Sequence, residues 1–193
     1  VFFVISGFLM TSIIVKGLEG NRFSVWQFYM ARVRRIVPAL LVLLASLLVL
    51  GYFFLLTSDY KALGSQSISA IVFLSNIYFW QTAGYFDATA HEKWLLHTWT
   101  LGVEAQFYVL LPVYLLSLWK LRPGVRTIFY GLIFAFIASF ALGIVASRWQ
   151  PVAAFYLLPT RGWEFLGGGL AFMLGREVPR WQQYARQFFW FGF

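Results

Sequence analysis

The run FYMARVRRIVPAL (Phe28–Leu40) sets Arg32, Arg34 and Arg35 immediately before an apolar segment that opens at Ile36. Arg32 and Arg35 are three residues apart and share a helical face. A guanidinium is a planar fork that grips phosphate through paired hydrogen bonds. The pair could therefore hold a phosphorylated donor at a helix mouth. It could also be a plain topology signal, with arginines facing lipid headgroups. Pro38 is expected near the helix start, where a missing N–H costs little.

A second group lies in HTWTLGVEAQFY (His97–Tyr108), where Glu104 falls about one turn inside apolar sequence. A charge in lipid is expensive and marks a functional site. His97, Thr100 and Glu104 follow i, i+3, i+7 spacing and can share a face. Gln106 and Tyr108 add hydrogen-bonding groups. Glu104 fits two roles, a functional acid or a buried structural partner of an arginine on a neighbouring helix. His97 fits a supporting catalytic role or a solvated structural one.

The third group is PTRGWEFLGGG (Pro159–Gly169). Arg161 and Glu164 are three apart and can neutralise each other in a bundle. Gly167, Gly168 and Gly169 permit close approach of another helix or an acyl chain. They form no nucleotide loop, because no strand precedes them and no phosphate-binding lysine follows. In VFFVISGFL (Val1–Leu9), no histidine or elbow motif surrounds Ser6, which reads as a small packing position.

The elements that must carry these residues are membrane helices. Hydrophobic residues make up 61% of the chain and charged ones 11%, whereas a soluble domain is nearer a quarter charged. Clear apolar spans cover about 36–56, 100–119 and 127–146, and a further one, 156–174, carries Arg161 and Glu164. Both ends fall in apolar sequence, with no initiator Met and no signal peptide, which reads as an internal piece of a longer polytopic protein, truncated at both ends. The net charge of +8 sits mainly in short loops, which points to topology and lipid headgroups rather than nucleic acid. The absence of cysteine excludes disulfides and thiolate chemistry, and two histidines, His91 and His97, give no reason to expect a metal site.

Charge placement decides how often the chain crosses. The ambiguous segment is 67–83, short, serine-containing and aromatic toward its end. If it does not cross, eleven basic loop residues fall on one side and three on the other; if it crosses, the split is seven to seven. The positive-inside rule selects the first arrangement. The expectation is an all-α polytopic transmembrane bundle of five to six spans, with 57–98 one extracytoplasmic excursion containing an interfacial or re-entrant helix near 67–83. Tyr78, Trp80, Tyr85 and Phe86 suit a headgroup belt. The basic loops are then cytoplasmic, and a sixth span starts near Phe188.

Together these segments resemble the acyltransferase-3 family of bacterial integral-membrane O-acyltransferases, which modify surface polysaccharides. VFFVISGFL, FYMARVRRIVPAL, HTWTLGVEAQFY and FYLLPTRGWEFLG (Phe155–Gly167) occur in the family's order, and Ser75-Asn76 and Tyr85-Phe86-Asp87 fit as well. The likeness spans nearly the whole chain. It implies a single membrane acyltransferase domain over 1–193. It also implies a cytoplasmic acyl-CoA donor, commonly acetyl-CoA, with no permanently bound cofactor. The acceptor would be a hydroxyl of an envelope glycan or lipid-linked saccharide, in the bacterial inner membrane.

By the resemblance, Arg32 and Arg35 bind the donor and Glu104 supports catalysis; His97, read from its own position, is expected beside Glu104 in that supporting role. Arg161, Glu164, Ser6, Trp99, Gln106 and Tyr108 are structural or positioning residues. The family's histidine regarded as the general base belongs to a helix ahead of VFFVISGF, so it precedes Val1, and the piece alone is expected to be inactive. The family pattern has Ser where Thr100 stands and often an acid where Ala105 stands; Thr keeps the hydroxyl. A transporter or flippase of lipid-linked saccharides is the alternative that would also explain intramembrane charges.

Overall fold

The computed structural model describes residues 1–83 and 93–177. Tyr85, Phe86, Asp87, His91 and the expected span near Phe188 lie outside the described residues. Regular structure among the described residues is helical: α1 (Phe2–Glu19), α2 (Val25–Phe54), α3 (Thr57–Ile71), α4 (Ser75–Thr82), α5 (Thr98–Leu121), α6 (Val125–Trp149), α7 (Pro151–Tyr156) and α8 (Leu158–Glu177). Helices satisfy every backbone group within the segment, which hydrocarbon demands. α1, α2, α5 and α6 are long and apolar enough to cross a membrane. The 20 residues of α8 give about 30 Å at 1.5 Å per residue, enough to run beside them. Arg161 pairs with Glu164 and Arg176 with Glu19.

Helix directions follow from the contacts. Phe3 meets Trp99 and Ser6 meets Tyr108, so α1 and α5 are parallel. Phe3 stacks on Phe165 at one end and Glu19 pairs with Arg176 at the other, so α8 is parallel to both. α2 runs the opposite way: Tyr29 donates to the Val109 carbonyl (3.0 Å), and Ile36 shares a cavity wall with Leu101. α6 is also reversed, with Tyr114 on the Gly131 carbonyl and Ser139 on that of Pro159. Because α2 and α5 are antiparallel, the chain between them returns to the end it left.

The intervening segment dips into the bundle. α3 folds back along α2, placing Leu63 and Ala70 in a core with Leu40 and Leu44. It ends at a left-handed Phe73 (φ 57°), where the Leu74 N–H reaches the Ser69 carbonyl and the Phe73 N–H that of Ala70. This is a Schellman stop with phenylalanine in place of the usual glycine. α4 then rises against α5. Asn76 is fully buried, donating to the Tyr156 carbonyl and exchanging hydrogen bonds with Gln106. Gly102 makes room, since a Cβ there would stand 2.8 Å from Asn76 Oδ1. The helix expected near 67–83 is thus two helices of a re-entrant hairpin beginning at Thr57. Its break is tolerated because protein groups satisfy the freed polar atoms.

α2 differs from expectation at its start. Ser24 caps the helix by accepting from the Gln27 N–H (3.4 Å), so Arg32, Arg34 and Arg35 lie two to three turns inside it. Pro38 is interior rather than at the helix mouth. It has no N–H to offer the Arg34 carbonyl, which frees that group at the level of the arginines.

The closest helix contact joins α1 to α8. A Cβ on Gly7 would meet the Phe165 carbonyl, and one on Gly168 the Val4 carbonyl. The two backbones touch, as small residues allow in membrane bundles.

Candidate functional site

α1, α2 and α5 enclose a cavity of about 260 Å3, lined by Ser6, Arg32, Arg35, Glu104 and Tyr108 among apolar side chains. Leu101, Glu104 and Tyr108 recur at i, i+3, i+7 along α5, so one stripe faces the cavity. Arg32, half-buried, and Arg35, exposed, line it from antiparallel α2, and exposed Arg34 does not. Ser6 and Tyr108 share a hydrogen bond of 2.5 Å. Ser6 is therefore a polar member of the wall rather than a packing position; Gly7 beside it does the packing.

Glu104 is 5% exposed, and its Oε1 has no hydrogen-bond partner. Arg32 Nε is likewise buried and unpartnered, while its guanidinium lies 5.6 Å from the Phe28 ring. Buried polar atoms are nearly always paired, and exceptions call for a reason. Two unpartnered atoms of opposite character at one cavity suit a polar, anionic ligand near the guanidinium and a hydroxyl or other donor near the carboxylate.

A second cavity, about 460 Å3, continues along the α1–α5 seam and is lined by Phe2, Trp99, Thr100, Arg161 and Glu164. Arg161 Nη1 bonds Glu164 Oε1 at 2.6 Å, and its Nε donates to the Phe155 carbonyl at 3.1 Å. The guanidinium also lies over the rings of Phe155 (4.9 Å) and Trp99 (5.8 Å). Trp99 itself is wedged against Phe155 and Tyr156. The face drawn through His97, Thr100 and Glu104 divides: Thr100 opens to this cavity, Glu104 to the first, and exposed His97 to neither. Gln106 lies on another side of α5, bonded to Asn76.

The acyltransferase-domain family model matches residues 1–193. The chain belongs to this acyltransferase family. A Haemophilus influenzae protein of unassigned function is 36% identical over 176 residues, covering 88% of this chain and 71% of that one. The peptidoglycan O-acetyltransferase OatA of Listeria monocytogenes is 29% identical over 197 residues, 93% of this chain and 30% of its own length. The O-acetyltransferase OatA of Staphylococcus aureus is 35% identical over 135 residues, 66% and 22% of the two chains. The chain thus spans under a third of either OatA. No solved structure matches it.

Within this acyltransferase domain, sequence reasoning passed over several residues that build the site's frame. Gln66, 4% exposed, accepts the Leu95 N–H and ties α3 to the approach of α5. Ser139 accepts the Trp163 N–H (2.8 Å) and donates to the Pro159 carbonyl (2.7 Å), inserting its hydroxyl into the first turn of α8. Such insertions open a helix locally. A lone polar residue in apolar sequence was the available signal for Ser139; nothing in sequence names its partners.

Proposed function

We propose that this membrane acyltransferase moves an acyl group, commonly acetyl, from cytoplasmic acyl-CoA to a hydroxyl of an envelope glycan or lipid-linked saccharide. The observation that carries the reading is the single cavity in which Arg32 and Arg35 on one helix face Glu104, Ser6 and Tyr108 on two others. Arginine forks suit the phosphates of a CoA donor. The acceptor oxygen attacks the thioester carbonyl carbon, the new C–O bond forms as the C–S bond breaks, and the hydroxyl proton leaves with the thiolate as CoA–SH. Glu104, Ser6 and Tyr108 border the space where that exchange would occur.

The orientation follows from charge. The C-terminal ends of α1, α5 and α8 and the N-terminal ends of α2 and α6 share one end of the bundle, which carries Lys16, Arg22, Lys120, Arg122, Arg126 and Arg176. By the positive-inside rule that end is cytoplasmic, and the α3–α4 hairpin opens to the outside of the bacterial inner membrane. The second cavity then lies on the acceptor side.

The test supplies labelled acetyl-CoA to membranes holding the full-length protein and follows label into envelope polysaccharide. Transfer by wild type, lost in Arg32→Ala/Arg35→Ala at equal protein level, is the expected result. No transfer from wild type across several acyl-CoAs, with native acceptors present, overturns the reading in favour of saccharide transport.

A further inference from the structure

The two cavities along α1 and α5 lie end to end, and Phe2 is the side chain common to both walls. On one side of it are Ser6, Glu104 and Tyr108, with Arg32 and Arg35 beyond. On the other are Trp99, Thr100 and the Arg161–Glu164 pair. A donor entering from the arginine end presents its thioester toward this boundary, and an acceptor entering from the opposite end must reach the same point.

We propose that Phe2 is the partition that sets the length of the acyl group transferred. The inference rests on the acyl-CoA reading above and goes one step further, to a specificity-determining residue. The apolar walls of the donor cavity include Ile5, Leu9 and Leu101. A short acyl group ends before the Phe2 ring; each added methylene has to occupy the space that ring fills. Met10 and Glu104, on the donor side, are buried in the bundle, whereas Phe2 stands where the two cavities meet.

Apolar pockets discriminate by roughly tenfold or more per methylene. The experiment compares wild type, Phe2→Ala, Phe2→Leu and Phe2→Trp in the full-length protein in membranes. Acetyl-, butyryl- and hexanoyl-CoA are supplied in turn with native envelope acceptor. Wild type should favour acetyl. Phe2→Ala should raise the hexanoyl-to-acetyl rate ratio by roughly tenfold or more, Phe2→Leu should raise it less, and Phe2→Trp should lower the butyryl-to-acetyl ratio. Phe2→Leu keeps an apolar side chain and carries the same direction of change should Phe2→Ala accumulate poorly. The ratio is read within each variant, so protein level cancels. Unchanged ratios in Phe2→Ala and Phe2→Leu, with acetyl transfer intact, overturn the inference and leave the acyl-CoA reading standing. No transfer by wild type from any donor overturns that reading, and the inference with it.

Discussion

Arg32 and Glu104 face one cavity from antiparallel helices, and each leaves a buried polar atom, Nε and Oε1, without a hydrogen-bond partner. At the Arg161–Glu164 pair the corresponding atoms are occupied, Oε1 by Arg161 Nη1 at 2.6 Å and Nε by the Phe155 carbonyl at 3.1 Å. The contrast separates two kinds of intramembrane charge in this chain. One kind is neutralised within its own helix turn; the other is held open.

Glu104→Gln keeps shape and removes charge. If the open carboxylate serves transfer, specific activity should fall by roughly ten- to a hundredfold, the range of a hydrogen bond to a charged group, while protein level holds. Activity normalised to purified protein, with a parallel thermal melt in detergent, is the check. A purely structural Glu104 would lower the melt and spare the specific activity.

Arg35→Lys replaces a planar fork by a point charge. The expected outcome is a weaker apparent affinity for acyl-CoA, by roughly tenfold, the low end of a charge-assisted hydrogen bond, with the maximal rate less affected. Initial rates across donor concentrations, at saturating acceptor, decide it. Unchanged donor affinity would return Arg35 to the role of topology signal.

Gly168→Ala would drive a Cβ into the Val4 carbonyl across the α1–α8 seam. Backbone cannot rotate aside as a side chain can, so the cost should reach at least the ~1–3 kcal/mol typical of overpacking. A lowered melting temperature in detergent would show it. Gly175→Ala, with open space around it, is the matched control and should be near neutral.

The chain has no cysteine, which makes sidedness easy to read. Single replacements Ser58→Cys, at the start of α3, and Arg122→Cys, just after α5, should react with a membrane-impermeant maleimide from opposite sides of the membrane. Ser58→Cys should label on intact cells and Arg122→Cys only after permeabilisation. Labelling of both from one side would refute the hairpin topology.

Much of this arrangement was legible in the residues. The spans read at 100–119 and 127–146 became α5 (98–121) and α6 (125–149), because unbroken apolar runs leave a membrane helix little freedom. Counting lysines and arginines also placed α2 and α5 antiparallel without a fold to consult. The start of α2 was missed because hydropathy registers only the greasy part of a helix. The Ser24–Gln27 cap begins in mixed sequence twelve residues upstream of Ile36 and was the better signal. Phe73 was not readable as a helix stop, since glycine or asparagine is the residue expected there. The Ser6–Tyr108 contact joins positions 102 apart. Spacing along one helix can say which side chains share a face, but not which face another helix will meet.

The Gly7–Phe165 and Gly168–Val4 contacts have a consequence for how this domain can change over time. A core of leucines can drift, because volume lost by one partner can be regained by its neighbour. A joint made of main chain has no volume to exchange. The runs VFFVISGFL and PTRGWEFLGGG, far apart in the sequence, are therefore two halves of one joint. Neither half can drift at its contact points without breaking the fit to the other, and novelty must enter through the surfaces that keep side chains between them.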